Sequence, residues 1–165
     1  MEQSMFTDAE LQLTTERRLK YQGTAKIDLS QITCHPGVAR QLDQKNVERL
    51  CEVFRKDGCN RLDVQHHVTA VVTRRHLKHA RREAQITAEE LLTSLPDKYP
   101  FLSFPSSQIQ CLHGQHRLRA AAEVLAPSER WWTVDLYLDG EFRFIGSTSI
   151  LQPSFLIASF GLTFM

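Results

Sequence analysis

The sequence predicts one mixed α/β (α+β) domain, a mixed sheet with helices packed on it, and three observations carry that prediction. Alternating or β-branched runs, "AKIDLSQI", "VTAVV", "IQCLH" and "TVDLYL", are separated by stretches whose apolar residues recur at helical spacing. A chain of 165 residues buries enough surface to fold as one unit without disulfides or a structural metal. The 42% apolar and 24% charged fractions are those of an ordinary globular protein, and a net charge of +1 gives no global attraction to nucleic acid or membrane.

Residues 1–22 are polar and only weakly periodic after the Thr7-Asp8-Ala9-Glu10 capping pattern, so they read as an N-terminal arm. The domain is expected over 23–139. "AKIDLSQI" alternates Ile27 and Leu29 with Lys26 and Asp28 and predicts a strand, closed by the turn signal "HPG" at 35–37. Asp43 caps a helix with Val47, Leu50, Cys51 and Phe54 on one face, Lys56 in its last turn and Gly58 after it.

"RLDVQHHVTAVV" follows as one or two strands, with Leu62 and Val64 two apart and Val68 to Val72 strongly β-branched. The segment 73–107 reads as a helical insertion: a basic helix in "TRRHLKHARREA", then a capping box at Thr87-Ala88-Glu89-Glu90 before "LLTSL", ended by Pro96. The strand 109–113 leads through Gly114 into a helix from Gln115 to Ala126 that carries Leu118, Ala121, Ala122 and Leu125 and stops at Pro127. "WWTVDLYL" closes the domain, with Val134, Leu136 and Leu138 on the face opposite Thr133, Asp135 and Tyr137.

The four cysteines, Cys34, Cys51, Cys59 and Cys111, have no CxxC spacing, and the N-terminus lacks the apolar core of a signal peptide. Both point to an intracellular protein, cytoplasmic or nuclear, with reduced thiols. Residues 140–165 form an anomalous apolar tail, uncharged after Arg143. Three readings are open: a tail anchor, disfavoured by Gln152, Pro153 and the lack of a flanking basic cluster; a strand pair packed on the domain; or sequence that is not native coding, since Gly140-Glu141-Phe142 can be encoded by a stretch containing a splice-donor sequence.

The most informative stretch is "QCLHGQHRLRAAAEVLA" at 110–126. A strand, a glycine and then a helix present backbone N–H groups at a helix N-terminus, where the dipole also favours negative charge. Gly114 permits the tight turn, His116 and Arg117 add donors, and small alanines let the helix pack closely. The residues expected to hold a phosphate are Gly114, Gln115, His116 and Arg117.

"GQHRLRAA" resembles the G-x-x-R-x-x-A turn of the ParB/sulfiredoxin-like superfamily, and "KIDLSQI", Arg40, "NVERLCEVFRKDGCNRLDV" and "TVDLYL" match its flanking order over about residues 24–139. The resemblance implies a nucleotide-binding fold for a nucleoside triphosphate, CTP or ATP, with magnesium, and adds Arg40 and Asn60-Arg61 as loop contacts. Gln115 stands where sulfiredoxins carry their catalytic cysteine, so sulfinic-acid chemistry is not expected. A serine-phosphorylating branch implies a carboxylate base, for which Asp43, Asp63 and Asp135 are unranked candidates. The same stretches with "WWTVDLYL" are also similar to a fungal family of proteins of unknown function, which suggests a fungal source.

Three functions follow as expectations: a phosphate- or nucleotide-binding module, an ATP-dependent small-molecule kinase-like enzyme, or a nucleic-acid-associated or scaffold protein that uses a basic stripe of Arg74, Lys78, Arg81 and Arg82, with Arg75, His76 and His79 beside it. The first is favoured, because acidic residues flank the stripe and no aromatics interleave for base stacking. Membrane contact is disfavoured. No metal is expected from Cys111, His113 and His116 or from His66 and His67, whose side chains diverge, and no G-x-S-x-G elbow supports a hydrolase. Trp131 and Trp132 are expected to cover the core.

Overall fold

The computed structural model describes residues 15, 20–36, 41–105, 107–139, 144–146 and 149–151. Its main body is a mixed α+β domain. Strand β1 (Tyr21–Asp28) leads through a 3-10 turn to β2 (Ile32–Cys34), helix α1 (Gln44–Asp57), β3 (Val68–Val72), α2 (Arg74–Ala84), α3 (Ala88–Leu91), β4 (Ile109–His113), α4 (Gln115–Val124) and β5 (Trp131–Leu138). The five strands form one sheet in the order β1-β5-β3-β4-β2. β1–β5 and β3–β4 are antiparallel, while β3–β5 and β2–β4 are parallel.

The expected strand "AKIDLSQI" is therefore two strands on opposite edges of the sheet, divided at Leu29–Gln31 where Asp28 accepts from the Ser30 N–H. The four residue steps from Asp28 to Ile32 reach at most about 14 Å. A flat sheet would hold its edge strands about 19 Å apart. The sheet must curl until its edges approach, and the corner so formed lies beside the start of α4.

Helix α1 follows its sequence signals closely, with Asp43 accepting from Lys45 N–H at the N-cap and Gly58 donating to the Phe54 carbonyl at the other end. Its buried Val47, Cys51 and Phe54 face α4 and the sheet, where the Phe54 ring lies 5.6 Å from that of the fully buried Trp132. Ala120 and Ala121 have no exposed surface, so α4 sits close enough for the Cys51 thiol to reach the Ala120 carbonyl.

"RLDVQ" is not a strand. Asp63 caps a 3-10 turn at Val64–His66, Val64 is left exposed, and only Val68–Val72 joins the sheet. An aspartate that accepts its own segment's N–H groups favours a turn over a ladder.

The insertion is built into the core. Thr73 caps α2, and the Thr87–Glu90 capping box is formed, but α3 is a single turn that ends well before Pro96. Leu77, Ala80, Leu91, Tyr99, Leu102 and Phe104 are all buried. Gly23 admits α3, since a Cβ there would lie 2.2 Å from the Leu91 carbonyl oxygen. Lys26 donates to the Pro100 carbonyl and accepts from Leu102 N–H, so the insertion covers the outer edge of β1.

In the tail, Phe144–Gly146 (β6) pairs antiparallel with Ser149–Leu151 (β7) as a separate two-stranded ribbon. The Thr7–Glu10 pattern, Gly37 of "HPG", Gly140 to Phe142, Gln152 and Pro153 lie outside the described residues. Among the described residues no helix is long and apolar enough to cross a membrane.

Candidate functional site

At the β4–α4 junction Gly114 adopts φ 96°, ψ 13°, in left-handed territory, and no side chain caps the helix that follows. A Cβ at this position would lie 2.6 Å from Cγ2 of the fully buried Val68, so glycine is required by both dihedral and space. The turn binds the start of α4 tightly to β3.

A cavity of about 470 Å³ opens at this corner, lined by Asp28 to Ser30, Ile32 to Cys34, Leu42, Cys111 and one face of α4. That face carries Gln115, Leu118, Arg119 and Ala122, with Pro127 and Arg130 closing the far side. Leu29, Ile32, Leu42 and Leu118 supply an apolar wall, and two guanidinium groups supply positive charge.

The expected residues divide around this cavity. Gln115 is on its wall and accepts from the Cys34 thiol at 3.2 Å. His116 is not on the wall: its Nε2 accepts the Asp43 N–H at 3.1 Å and ties the α4 start to the α1 cap, where a donor to phosphate was expected. Arg117 is half-buried on another side of the helix, and among the described residues its guanidinium has no hydrogen-bonding or ionic partner. Arg40 lies outside the described residues.

Arg61 is consumed within the protein. Its guanidinium donates to the Glu129 and Trp131 carbonyls, pairs with the Glu129 carboxylate at 2.6 Å, and stacks 3.5 Å above the Trp131 ring. Asn60 holds a positive φ of 45° and its carbonyl faces Nδ1 of His66, so this stretch is organised as a turn around its own backbone.

Sequence reasoning passed over Arg119 and Arg130 as ligand contacts. Arg119 was visible as the residue one helical turn after Gln115, whereas Arg130 reaches the cavity only through the fold. Arg119 uses Nε on Glu123 at 3.1 Å, an exposed i,i+4 pair of the kind worth little, and Arg130 uses Nε on the Leu125 carbonyl. Both keep terminal nitrogens for another acceptor.

None of the three aspartates considered as a base lines the cavity. Asp43 and Asp63 are caps, and Asp135 belongs to a network in which it accepts from Thr24 at 2.6 Å and lies 2.9 Å from Nδ1 of the buried His67. Tyr21 shares the Thr24 hydroxyl in this network, and burial pushes its phenol up, opposed by that hydrogen bond and reinforced by the Asp135 charge. The carboxylate on the cavity wall is Asp28, whose Oδ1 already accepts from the Ser30 N–H and hydroxyl.

All four cysteines are free thiols. Cys34 and Cys111 are register partners across β2 and β4 and both border the cavity. Burial, with a contribution from Cys34, pushes the Cys111 thiol up to about 12. Trp132 is fully buried with its indole N–H on the His66 carbonyl, while Trp131 sits at the surface between Arg61, Lys26 and Phe101.

The expected stripe on α2 is split. Lys78 and Arg82 line a second concavity together with Arg75, His76 and His79, whereas Arg74 and Arg81 lie off it. Arg81 is half-buried near Glu89, whose carboxyl is held below its ordinary value mainly by hydrogen bonds to its own backbone N–H and Thr87, with the Arg81 charge adding to them.

No protein with a curated description matches the chain. A solved structure, the C-terminally truncated chromosome-partitioning protein ParB from Caulobacter crescentus complexed with CTP-gamma-S, is similar at 12% identity and a TM-score of 0.42, over 72% of this chain and 46% of that one. The chain thus spans about half the length of the structure it matches. Residues 20–150 match the family described as "Protein of unknown function (DUF3723) N-terminal domain", and the chain belongs to that family.

Proposed function

We propose that the domain binds a phosphate-bearing ligand of the nucleotide class, CTP or ATP with magnesium, in the cavity between the Leu29–Cys34 corner and α4. The observation that carries this reading is the juxtaposition of a helix N-terminus with no side-chain cap and a cavity rimmed by Arg119 and Arg130. The N–H groups and dipole of the first helical turn attract an anion, and guanidinium groups grip phosphate oxygens with paired donors. The apolar wall of Leu29, Ile32, Leu42 and Leu118 suits a base or sugar face. A volume of about 470 Å³ falls in the range of small-molecule sites.

In this reading Arg117 lies off the cavity wall, Gln115 orients the ligand, and His116 and Arg61 act as structural supports. The reading is of a binding module working inside the cell. Asp28 is the carboxylate that a phosphotransfer reaction would have to recruit, and its cap duties favour binding over turnover. Titration calorimetry with CTP, ATP and GTP, with and without magnesium, tests the proposal. Binding should weaken about tenfold in Arg119→Ala, the loss of one charge-assisted contact; an unchanged affinity in that variant removes the site.

A further inference from the structure

We propose that the groove along α2 is a second anion site, built for a compact polyphosphate: a small ligand with two or more phosphate groups in close succession. Arg75, Lys78, His79 and Arg82 stand at i, i+3, i+4 and i+7, so they share one face of the helix. They line a concavity of about 510 Å³ with His76 and Gln108, and among the described residues no carboxylate contributes to its wall. Arg75 to Arg82 spans about 10 Å along the helix axis, a length that a short chain of linked phosphates covers.

Two features set this groove apart from an ordinary solvated basic face. Among the described residues Arg75, Lys78 and Arg82 form no salt bridge, although Glu83 is on the same helix and Glu89 and Glu90 are close in sequence. Like charges held side by side repel one another, and an unneutralised cluster persists at a cost that a polyanion removes. Among the described residues, two side chains of the lining, His76 and Gln108, each carry a buried atom with no hydrogen-bond partner, Nδ1 and Oε1. Buried polar atoms are ordinarily paired, so these two side chains hold unmet hydrogen-bonding capacity beside the cations.

The dimensions of the concavity decide between a small ligand and a nucleic acid. A short chain of phosphates fits within about 510 Å³, whereas a duplex backbone would rest on the exposed ends of Arg75, Lys78 and Arg82. The groove shares no lining residue with the α4 cavity, so the two proposals stand or fall separately.

The test is titration calorimetry of the full chain with inorganic tripolyphosphate, repeated with Lys78→Ala, Arg82→Ala, Gln108→Leu, Arg74→Ala and Arg119→Ala, with circular dichroism to verify folding. Saturable binding is expected, weakened about tenfold by each of the first two changes and also weakened by Gln108→Leu. It should be unchanged in Arg74→Ala, and the component that depends on Lys78 and Arg82 should persist in Arg119→Ala. Lys78 and Arg82 are exposed, so their variants should fold normally. Absence of binding at millimolar tripolyphosphate overturns the proposal, as does binding that depends on Arg119 and not on Lys78. A short mixed-sequence DNA duplex that competes at lower concentration, with a steep loss on adding salt, would overturn the compact ligand in favour of a nucleic-acid surface.

Discussion

Two groups of cations in this domain are organised in opposite ways. The two arginines on the α4 cavity, and Arg61 near it in the motif, are held by the protein: Arg119 by Glu123, Arg130 by the Leu125 carbonyl, Arg61 by Glu129 and Trp131. Along α2 the cations that line the groove have, among the described residues, no carboxylate of their own. An arginine within or beside a motif is therefore no evidence of a ligand contact until its partners are known. The first group offers a mainly apolar pocket with charge at its rim, and the second a polar trough that needs a polyanion to neutralise it.

The strongest way to separate the two regions is Gly114→Ala. The added Cβ meets Val68 in a backbone conformation that alanine resists, so a loss of roughly 2–5 kcal/mol in denaturant unfolding is expected. Nucleotide binding at the α4 cavity should be lost in the fraction that folds, while tripolyphosphate binding along α2 persists. Unchanged stability would show that the Gly114 turn is not the rigid junction described.

Arg61→Ala should come next, at about 1–3 kcal/mol, from the loss of its carbonyl hydrogen bonds and its cover over Trp131. Nucleotide affinity should stay within about twofold, since the guanidinium is already committed. If calorimetry instead showed a large drop in affinity with stability intact, Arg61 would rejoin the ligand site and the contrast between held and unheld cations would fail there.

The smallest effect concerns the two thiols on the cavity. The Cys111 thiol, raised from 9.0 to about 12 mainly by burial, favours the folded state only while it is protonated. That contribution is complete below about pH 9 and is lost as pH rises toward 12. Wild-type protein should lose more stability than Cys111→Ala between these limits, and equal slopes would contradict it. Near neutral pH an alkylating reagent should label exposed Cys34 and spare Cys111, and bound nucleotide should slow the labelling.

Much of the scaffold was legible because its signals are local. Asp43 and Gly58 around α1, the Thr87–Glu90 capping box and Gly114 before the alanines of α4 each act over four residues or fewer. Misreadings came where a local signal competed with another. Leu62 and Val64 alternate like a strand, but Asp63 captured the backbone; "AKIDLSQI" alternates as far as Leu29, but Asp28 broke it into two edge strands. The segment 73–107 read only as a helical insertion, because nothing in it announces that Tyr99, Leu102 and Phe104 fill the core.

By itself the sequence determined the elements, their caps, the left-handed glycine and the concentration of positive charge on α2, since these depend on residues within a turn or two of each other. Only the tertiary structure decided which charges remain available. Arg61 meets Glu129 across 68 residues and His116 meets Asp43 across 73, distances along the chain at which no spacing rule operates. The same closure of the sheet that brought those partners together also formed the cavity at its corner, because three residues between two edge strands cannot span a flat sheet.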